Sequence, residues 1–324
     1  MKKRILSTII LCLTILTMSG CNNKSETANA TNINIASLKG PTSIGLAKLY
    51  TDSDLDTTNN NYIYNIYGTA DEITAGLTKG TIDIAAIPCN LASVLFNKTE
   101  GQIQIAGINT LGVLYVVTKN CDINEISDLE GKTIFSTGQG TTSEYSFNHI
   151  LTENGFDPDT DMTIQYYSEA TEIAAAFAKM DEVIAVLPEP FVTSVLNQNP
   201  DAKVSLSLTD EWEKINPDSA FVTGVIVVRK EFADKNSKAV NVFLKEYEAS
   251  VNFANNNVDE CAEYLEKLDI MKAAVAKNAI PNCNVVLITG DEMEQNVLSY
   301  LTVLHNANPQ SVGGKLPDNT IFYK

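Results

Sequence analysis

Apolar and polar residues form a repeating pattern along the first third of the chain. Short apolar or alternating runs, typical of strands, are followed by a few polar residues and then by apolar residues at helical spacing. The pattern predicts strands at Asn32–Leu38, Tyr62–Tyr67 and Thr81–Ile87, each followed by a helix. Three β–turn–α units in succession predict a parallel sheet with right-handed crossovers.

The pattern starts again beyond a long extended segment, residues 102–118, which is interrupted near Asn109 and Gly112. An apolar run at residues 221–228 then predicts that the chain returns to the first sheet. We therefore expect a second lobe at residues 114–220, inserted into a first lobe. The first lobe is predicted to comprise residues 33–113 and 221–324. Two crossings between lobes form a hinge, which suits closure around a ligand.

The turn after the predicted strand Thr133–Phe135 is the strongest single candidate for binding. Its Gly-Gln-Gly segment, residues 138–140, allows a tight turn and a close approach of a ligand to the backbone. Thr141 and Glu144 have the spacing of a capping box, so a helix is predicted to start there. Such a helix start, at the carboxyl end of a strand, offers N–H groups and hydroxyls to an anion or a polar molecule.

Comparable polar clusters follow the other predicted strands. Thr42 is placed to cap one helix, and Thr69 and Glu72 repeat the capping-box spacing at another. In open α/β sheets, ligands bind at the carboxyl ends of the strands, where such clusters meet. The recurrence of these helix starts predicts one shared site, whereas each turn taken alone is equally typical of an ordinary strand-to-helix connection.

The N-terminus has the composition of an export signal. Residues 2–18 consist of a basic region and an apolar run that is too short for a comfortable membrane span. Small residues before Cys21 resemble the lipobox of bacterial lipoproteins, in which the cysteine is acylated, for example with palmitate. The resemblance implies a signal peptide at residues 1–20, lipidation of Cys21 and a flexible tether at residues 21–32. A secretory signal with a chance cysteine is the alternative.

The overall charge argues against nucleic acid as a partner. The sequence has 23 Lys and Arg against 40 Asp and Glu, a formal net charge of −17. Loss of residues 1–20 would remove three basic residues and leave a net charge of −20. Nucleic-acid binding requires clustered basic residues, which this balance does not favour. The charge says little about a small ligand, because a local site can oppose the global field.

Residues typical of catalysis or metal binding are not arranged for either role. The sequence contains no Cys-x-x-Cys pair, so a metal site built from cysteine is not predicted. His149 and His305, the two histidines, show no catalytic pairing with a carboxylate, and no nucleotide or hydrolase fingerprint occurs. We therefore predict no enzyme activity, no cofactor and no metal. For Cys261 and Cys283, a disulfide and two buried free thiols remain equally open.

Four segments carry a resemblance to a known family: Leu38–Ser43, Gly76–Leu95, Asp128–Thr142 and Val186–Val192. With the lipobox, they resemble solute-binding lipoproteins of ABC importers, in the NMT1/THI5-like and SsuA-like branch. Members of that branch bind sulfonates, taurine, nitrate or pyrimidine precursors of thiamine. The resemblance implies a two-lobed, type II periplasmic-binding fold. Each lobe is then a mostly parallel α/β sheet flanked by helices, and a two-strand hinge joins the lobes.

The resemblance also implies which residues bind the ligand between the lobes. They are Thr42, Ser43, Gly68, Thr69, Cys89, Asn90, Gln139, Gly140, Thr141, Thr142 and Glu189. Cys89 departs from the family, where a Ser or Thr hydroxyl often occupies that position. Two interpretations of Glu189 remain: it accepts a hydrogen bond from a ligand amine, or it caps its own helix. Lys39 is either a partner for a ligand anion or a solvated loop residue.

The predicted function is that of an extracytoplasmic, lipid-anchored and monomeric binding protein. It would capture a small polar or anionic organic molecule by hinge closure and deliver it to a membrane permease with its ATPase. Two alternatives remain: a ligand-sensing subunit for a receptor, and a THI5-like pyrimidine synthase that uses pyridoxal phosphate. We expect replacement of Thr141 and Thr142 by alanine to weaken binding with little loss of stability.

Overall fold

The computed structural model describes residues 30–168 and 170–324. The predicted signal peptide, the lipidated Cys21 and nearly all of the predicted tether lie outside the described residues. Between residues 30 and 324, with residue 169 left out, no helix combines the length and apolar character needed to cross a membrane.

The described chain alternates strands with helices. The strands are β1 (Asn32–Leu38), β2 (Asn61–Tyr67), β3 (Ile84–Pro88), β4 (Ile103–Thr110), β5 (Leu114–Lys119), β6 (Thr133–Thr137), β7 (Thr163–Tyr167), β8 (Val183–Pro188), β9 (Ala202–Ser207), β10 (Gly224–Arg229) and β11 (Val285–Ile288). The helices are α1 (Pro41–Ile44), α2 (Ala47–Asp54), α3 (Ala70–Lys79), α4 (Cys89–Lys98), α5 (Thr142–Glu153), α6 (Ala170–Lys179), α7 (Phe191–Gln198), α8 (Leu208–Ile215), α9 (Lys230–Asn256), α10 (Val258–Lys267), α11 (Ala273–Ala279) and α12 (Gly290–Ala307).

The described strands form two mixed sheets. A six-stranded sheet has the order β11-β4-β10-β3-β1-β2, and a five-stranded sheet has the order β7-β6-β8-β5-β9. In the first, β1 pairs parallel with β2 and β3, as the three β–turn–α units predict. In the second, β6 pairs parallel with β7 and β8. The predicted two-sheet α/β fold is thus confirmed.

Antiparallel strands enter both sheets where the chain crosses between them. Strand β10, which brings the chain back to the six-stranded sheet, lies antiparallel between β3 and β4. Strand β5, the first of the five-stranded sheet, lies antiparallel between β8 and β9. Periodicity along a single strand does not reveal that β5 and β10 are antiparallel. Their direction depends on where the chain enters each sheet.

Two connections link the sheets, and they contact each other. One is the short segment 111–113 between β4 and β5, and the other is the segment 216–223 before β10. The Thr223 N–H donates to the Thr110 carbonyl over 3.1 Å, and the Thr223 hydroxyl donates to the Leu111 carbonyl. These bonds hold the two connections side by side, which is the arrangement expected of a two-strand hinge.

Buried apolar residues form three clusters around the two sheets. One covers the face of the six-stranded sheet against α2, α9 and α10, and another covers the face of the five-stranded sheet against α6 and α7. The third includes residues of both sheets, such as Ile87 and Ile134, together with Leu301 of α12. The two sheets therefore share one continuous apolar cluster, to which α12 contributes.

Several elements differ from the sequence prediction. The third strand begins at Ile84 rather than Thr81, because the Asp83 carboxylate accepts hydrogen bonds from the Asn34 N–H and side chain. The predicted helix from Ala239 is the second part of α9, which starts at Lys230 and is kinked at Asn236. The sequence analysis did not predict α8, α11 or β11, which are short, although the Ser207 side chain caps the start of α8.

Each of the four cysteines of the described chain is a free thiol. Cys89, Cys261 and Cys283 are buried, and Cys121 is partly exposed. Of the two alternatives for Cys261 and Cys283, the structure therefore has the buried free thiols, which pack in the same apolar cluster.

Candidate functional site

The carboxyl ends of β1, β2 and β3 form one edge of the six-stranded sheet. β1 and β2 end in register at Leu38 and Tyr67, and β3 lies on the other side of β1. The Lys39 N–H donates to the Tyr67 carbonyl over 2.9 Å and so continues the pairing past the strand end. Three turns therefore lie along this edge: residues 39–43, 68–69 and 88–90.

The five-stranded sheet has a matching edge. Thr137 pairs with Tyr167 at the ends of β6 and β7, and the neighbouring β8 ends at Pro188. The Gly-rich turn before α5 and the segment around Glu189 follow these strand ends. Each sheet thus presents its polar turns on one side, as expected for parallel strands.

A buried hydrogen bond joins the two edges. The Thr142 hydroxyl, at the first position of α5, donates to the side-chain oxygen of Asn90 in the first turn of α4 over 2.8 Å. Both side chains are about 5% exposed. On another side of the junction, the Tyr115 hydroxyl donates to the Asn282 carbonyl over 3.2 Å. The structure therefore brings two of the predicted site residues, distant in sequence, into direct contact.

The start of α5 is capped by its own turn. The Thr141 hydroxyl oxygen accepts from the Ser143 N–H over 3.4 Å, which makes Thr141 the cap that the sequence predicts. Glu144 accepts from the Gly140 N–H rather than from that of Thr141, because the Thr141 N–H donates to the Gly138 carbonyl. The predicted capping box therefore forms with one change: Glu144 accepts from the residue before the cap instead of from the cap residue.

The start of α3 is open by comparison. Thr69 occupies the cap position, but in the described structure its side chain accepts no capping hydrogen bond from the helix. Thr69 and Gly68 are both exposed, and open space surrounds the position where a Gly68 side chain would project. The predicted capping box with Glu72 therefore does not form, and the Thr69 hydroxyl faces solvent at the sheet edge.

The first turn after β1 is built differently from its prediction. Gly40, with a φ of 136°, is the cap of α1, and Thr42 lies within this short helix instead of capping it. The Thr42 carbonyl accepts from the Asn109 side chain over 3.1 Å. The buried Ser43 hydroxyl lies 2.7 Å from the Ser37 hydroxyl and 2.5 Å from the Leu38 carbonyl. Ser43 therefore stabilises the turn with a hydroxyl that points into the protein.

Cys89 has a buried side chain, and its backbone N–H forms a hydrogen bond that fixes the start of α4. Its side chain is fully buried, and burial raises the pKa of the thiol far above its ordinary value, so the thiol stays protonated. Its N–H donates to the Thr223 carbonyl over 3.1 Å, which ties the start of α4 to the hinge. No acidic residue lies in the first turn of α4, unlike those of α3 and α5.

Glu189 is buried, with only 2% of its surface exposed. Its carboxylate accepts from the Thr193 N–H over 3.2 Å and from the Thr193 hydroxyl over 3.0 Å. Burial raises the pKa of this carboxyl, and the bonds from Thr193 and the nearby Asn282 side chain partly offset the rise. These contacts favour the helix-capping interpretation of Glu189, since Thr193 belongs to the first turn of α7.

Basic groups are few at this edge. Lys39 forms an exposed ion pair with Asp269 at 2.6 Å. Of the two arginines in the sequence, Arg4 precedes the described residues. The other, Arg229, pairs with Asp83 at 2.8 Å near the opposite end of β3. The Arg229 guanidinium group is therefore engaged away from this edge, and Lys39 is the basic residue of the turn after β1.

Sequence reasoning missed two residues that contact the junction. The Tyr300 hydroxyl of α12 lies 2.8 Å from the Ser146 hydroxyl of α5, and both side chains are fully buried. Tyr300 also packs against the rings of Trp212 and Phe221. The helical prediction for α12 was available from periodicity, but no local pattern indicates which of its faces meets α5.

Open cavities occur away from the two edges. A cavity of about 660 Å³ lies beside Cys121, Phe135 and Met180 in the five-stranded sheet. Another of about 660 Å³ separates α5 from the end of α12, near His149 and Asn306. Among the described residues, no group of three or more His, Cys, Asp or Glu side chains is arranged to hold a metal ion.

Comparison with protein families identifies the chain. A model described as ABC transporter, phosphonate, periplasmic substrate-binding protein matches residues 56–279. The chain belongs to this family. It is therefore a periplasmic-type, extracytoplasmic substrate-binding component of an ABC transporter, as the sequence resemblance implied. A sequence comparison with functionally characterised proteins finds no match.

Solved structures support the fold of the family. An ABC transporter protein from Parabacteroides distasonis is 24% identical, with a TM-score of 0.75, over 91% of this chain and 99% of that one. The periplasmic aliphatic sulphonate-binding protein SsuA from Escherichia coli is 14% identical, with a TM-score of 0.72, over 90% and 92%. The periplasmic nitrate-binding protein NrtA from Synechocystis is 13% identical, with a TM-score of 0.59, over 88% and 84%. At these identities the similarity shows a shared two-lobed fold.

Proposed function

We propose that this substrate-binding protein captures a small molecule with an anionic oxygen-rich head group in the gap between its two sheet edges. A sulfonate, a phosphonate or nitrate fits this description. The Thr142–Asn90 contact supports the proposal most directly, because it brings the start of α4 against the start of α5. Helix N-termini favour anions through their free N–H groups and their dipoles.

The charge distribution indicates where the head group would bind. The first turns of α3 and α5 contain acidic residues, whereas the first turn of α4 contains none. An anion would therefore meet the least repulsion near the start of α4. Thr69 and Gln139, in two of the other turns, are exposed and could contact it. Lys39 would attract the anion further if it released Asp269 and paired with the ligand instead.

Calorimetric titration tests this proposal with four probes: ethylphosphonate, ethanesulfonate, taurine and nitrate. We expect at least one to bind, and the affinity to fall in a Thr69→Ala/Gln139→Ala variant. Thr78→Ala is a matched control, because Thr78 is an exposed threonine at the far end of α3 whose hydroxyl donates to the Thr74 carbonyl. Equal affinities of the site variant and the wild type would contradict the proposed site.

Lys39 provides a second test of the same proposal. A Lys39→Gln variant should bind an anionic probe more weakly, and the loss should shrink at high salt, since exposed charges are screened. Mass spectrometry of molecules that copurify with the chain gives an independent check. Recovery of a purely cationic ligand would overturn the anionic assignment.

The remaining parts of the proposal concern the membrane. We infer that the two lobes, residues 33–113 with 221–324 and residues 114–220, close around the ligand by bending at the hinge. The closed, monomeric protein then docks on a permease, and no bond of the ligand is broken. An acyl group on Cys21 holds the protein at the outer face of the membrane. A Cys21→Ala variant should move from the membrane fraction to the soluble extracytoplasmic fraction.

A further inference from the structure

A buried chain of polar contacts connects α12 with both helix starts at the site. The Tyr300 hydroxyl lies 2.8 Å from the Ser146 hydroxyl, one turn into α5. Thr142, also on α5 and beside the Tyr300 hydroxyl, donates to Asn90 on α4. We call Asn90, Thr142, Ser146 and Tyr300 the junction network. All four side chains are at least nine-tenths buried.

The junction network leaves little freedom to the predicted site residues Asn90 and Thr142. The Asn90 side-chain oxygen accepts from Thr142, and its nitrogen donates to the Ser311 carbonyl over 3.2 Å. Both ends of the Asn90 amide are therefore engaged within the protein. A polar group that is buried and bonded in this way costs free energy when its partner is removed, because water does not replace the partner.

The segment that follows α12 stabilises α4 from the other side. The Ser93 hydroxyl donates to the Val312 carbonyl over 2.8 Å, and the Asn97 side chain donates to the same carbonyl over 3.0 Å. Helix α12 itself packs its Tyr300 ring against Trp212 and Phe221, beside the hinge. One C-terminal stretch, residues 290–315, thus contacts the start of α4, the start of α5 and the hinge.

We propose that Tyr300 and Ser146 are positioning residues that hold the start of α5 against the start of α4, so that closure of the binding gap depends on α12. Neither residue is assigned to ligand contact. Their hydroxyls set the position of Thr142, which in turn engages Asn90. When the lobes separate, the contacts between α4 and α5 break, and the buried hydroxyls lose their partners. The junction network therefore favours the closed arrangement of the site. This inference rests on the proposed function only for the identity of the ligand in the closed gap.

The test measures the distance between lobes and requires no ligand. Spin labels are attached at Ala75→Cys in α3 and Ala178→Cys in α6, both exposed, in a full chain that also carries Cys121→Ser. Pulsed electron resonance then gives the distribution of interlobe distances. Tyr300→Phe should lower the ratio of closed to open molecules by about tenfold, the change that ~1.4 kcal/mol produces. An unchanged distance distribution would overturn the proposal.

Two further variants separate positioning from general stability. Tyr247→Phe makes the same change at another fully buried tyrosine, on the opposite face of the six-stranded sheet. It should leave the interlobe distance unchanged, even if it alters the melting temperature. The double variant Ser146→Ala/Tyr300→Phe should open the lobes less than the sum of the single changes, since the two hydroxyls are partners. Additive effects would show that the pair does not act together.

The outcomes also distinguish this inference from the proposed function. If ethylphosphonate, ethanesulfonate, taurine and nitrate all fail to bind but Tyr300→Phe opens the lobes, the ligand assignment is wrong and the positioning role stands. If a probe binds and Tyr300→Phe leaves both its affinity and the interlobe distance unchanged, the positioning role is wrong and the ligand assignment stands.

Discussion

The starts of α3 and α5 carry the same sequence pattern and yet have different structures. Both have threonine at the cap position and glutamate three residues later, at Thr69 with Glu72 and at Thr141 with Glu144. At α5, the threonine and the glutamate both accept backbone hydrogen bonds. At α3, the Thr69 side chain accepts no capping bond from the helix in the described structure. The same three-residue spacing therefore does not determine which hydrogen bonds form at a helix start.

The difference follows from what surrounds each helix start. The residue after the α5 cap, Thr142, is buried against Asn90, and so the turn is held in one conformation. Thr69 and the residue before it, Gly68, are exposed at the edge of the sheet, where water can satisfy the same groups. In the function proposed above, the buried helix start would stabilise the closed gap, whereas the exposed one would offer its hydroxyl to a ligand.

The largest expected effect is that of Thr142→Val, which preserves the shape of the side chain but removes its hydroxyl. Asn90 would lose a buried donor, so we expect the free energy of unfolding to fall by about 1–3 kcal/mol. Urea denaturation measures this change. The result would revise the expectation, drawn from sequence, that alanine at Thr141 and Thr142 costs little stability. A loss below about 0.5 kcal/mol, the usual limit for surface substitutions, would mean that the contact with Asn90 contributes little.

Removal of the cap itself should have a smaller effect. Thr141→Ala deletes the oxygen that accepts from Ser143, and the loss of such a cap typically costs ~1 kcal/mol. The same substitution at Thr69 should change the free energy of unfolding by less than about 0.5 kcal/mol, because no capping bond is lost. Equal losses at the two positions, measured by urea denaturation, would remove the contrast between the helix starts.

Thr69→Asp tests the same contrast by adding a cap at the start of α3 instead of removing one. Aspartate is a good cap, so this variant should be stabilised by a few tenths of a kcal/mol, up to about 0.5 kcal/mol. It also places a negative charge at the sheet edge, so an anionic probe such as ethanesulfonate should bind more weakly. Thermal unfolding and calorimetric titration measure the two effects separately. Tighter binding of the anion would show that Thr69 lies away from the ligand.

The smallest expected effect is a pH dependence on the α5 side. Burial lowers the pKa of His149, and the hydrogen bond with Asn216 and the charge of Glu153 only partly oppose this shift. A lowered pKa means that the folded state binds the proton less readily than the unfolded state. The contribution of His149 to stability is therefore present above about pH 6.5, the ordinary pKa of histidine, and is lost as the pH falls. Urea denaturation between pH 5 and 7.5 should show a shallower dependence for His149→Gln.

Much of the fold could be predicted because it depends on local signals. The apolar run of β3 and the Gly-rich turn before α5 both indicate their structures within a few residues. The polar turns could also be placed at strand ends, since the carboxyl ends of parallel strands lie at one edge. These signals are strong because each buried strand requires apolar residues at nearly every position.

The hydrogen-bond partners of the side chains at the predicted site could not be predicted, because residue type does not determine which way a side chain points. Ser43 has the residue type expected of a ligand contact, yet its hydroxyl points toward Ser37. Glu189 accepts from Thr193 in its own helix. Tyr300 reaches the junction from 154 positions beyond Ser146 in the sequence. Residue type and periodicity specify none of these partners, and for Tyr300 the packing of α12 against α5 determines the contact.

The four unpaired thiols have a consequence for biogenesis. A protein that acts outside the cytoplasm commonly acquires disulfides there, but Cys89, Cys121, Cys261 and Cys283 are all free in this structure. The fold of the described residues therefore contains no disulfide bond that oxidation would have to form. We expect the described residues to refold to the same extent with and without a thiol reductant, in anaerobic and in oxygenated surroundings alike.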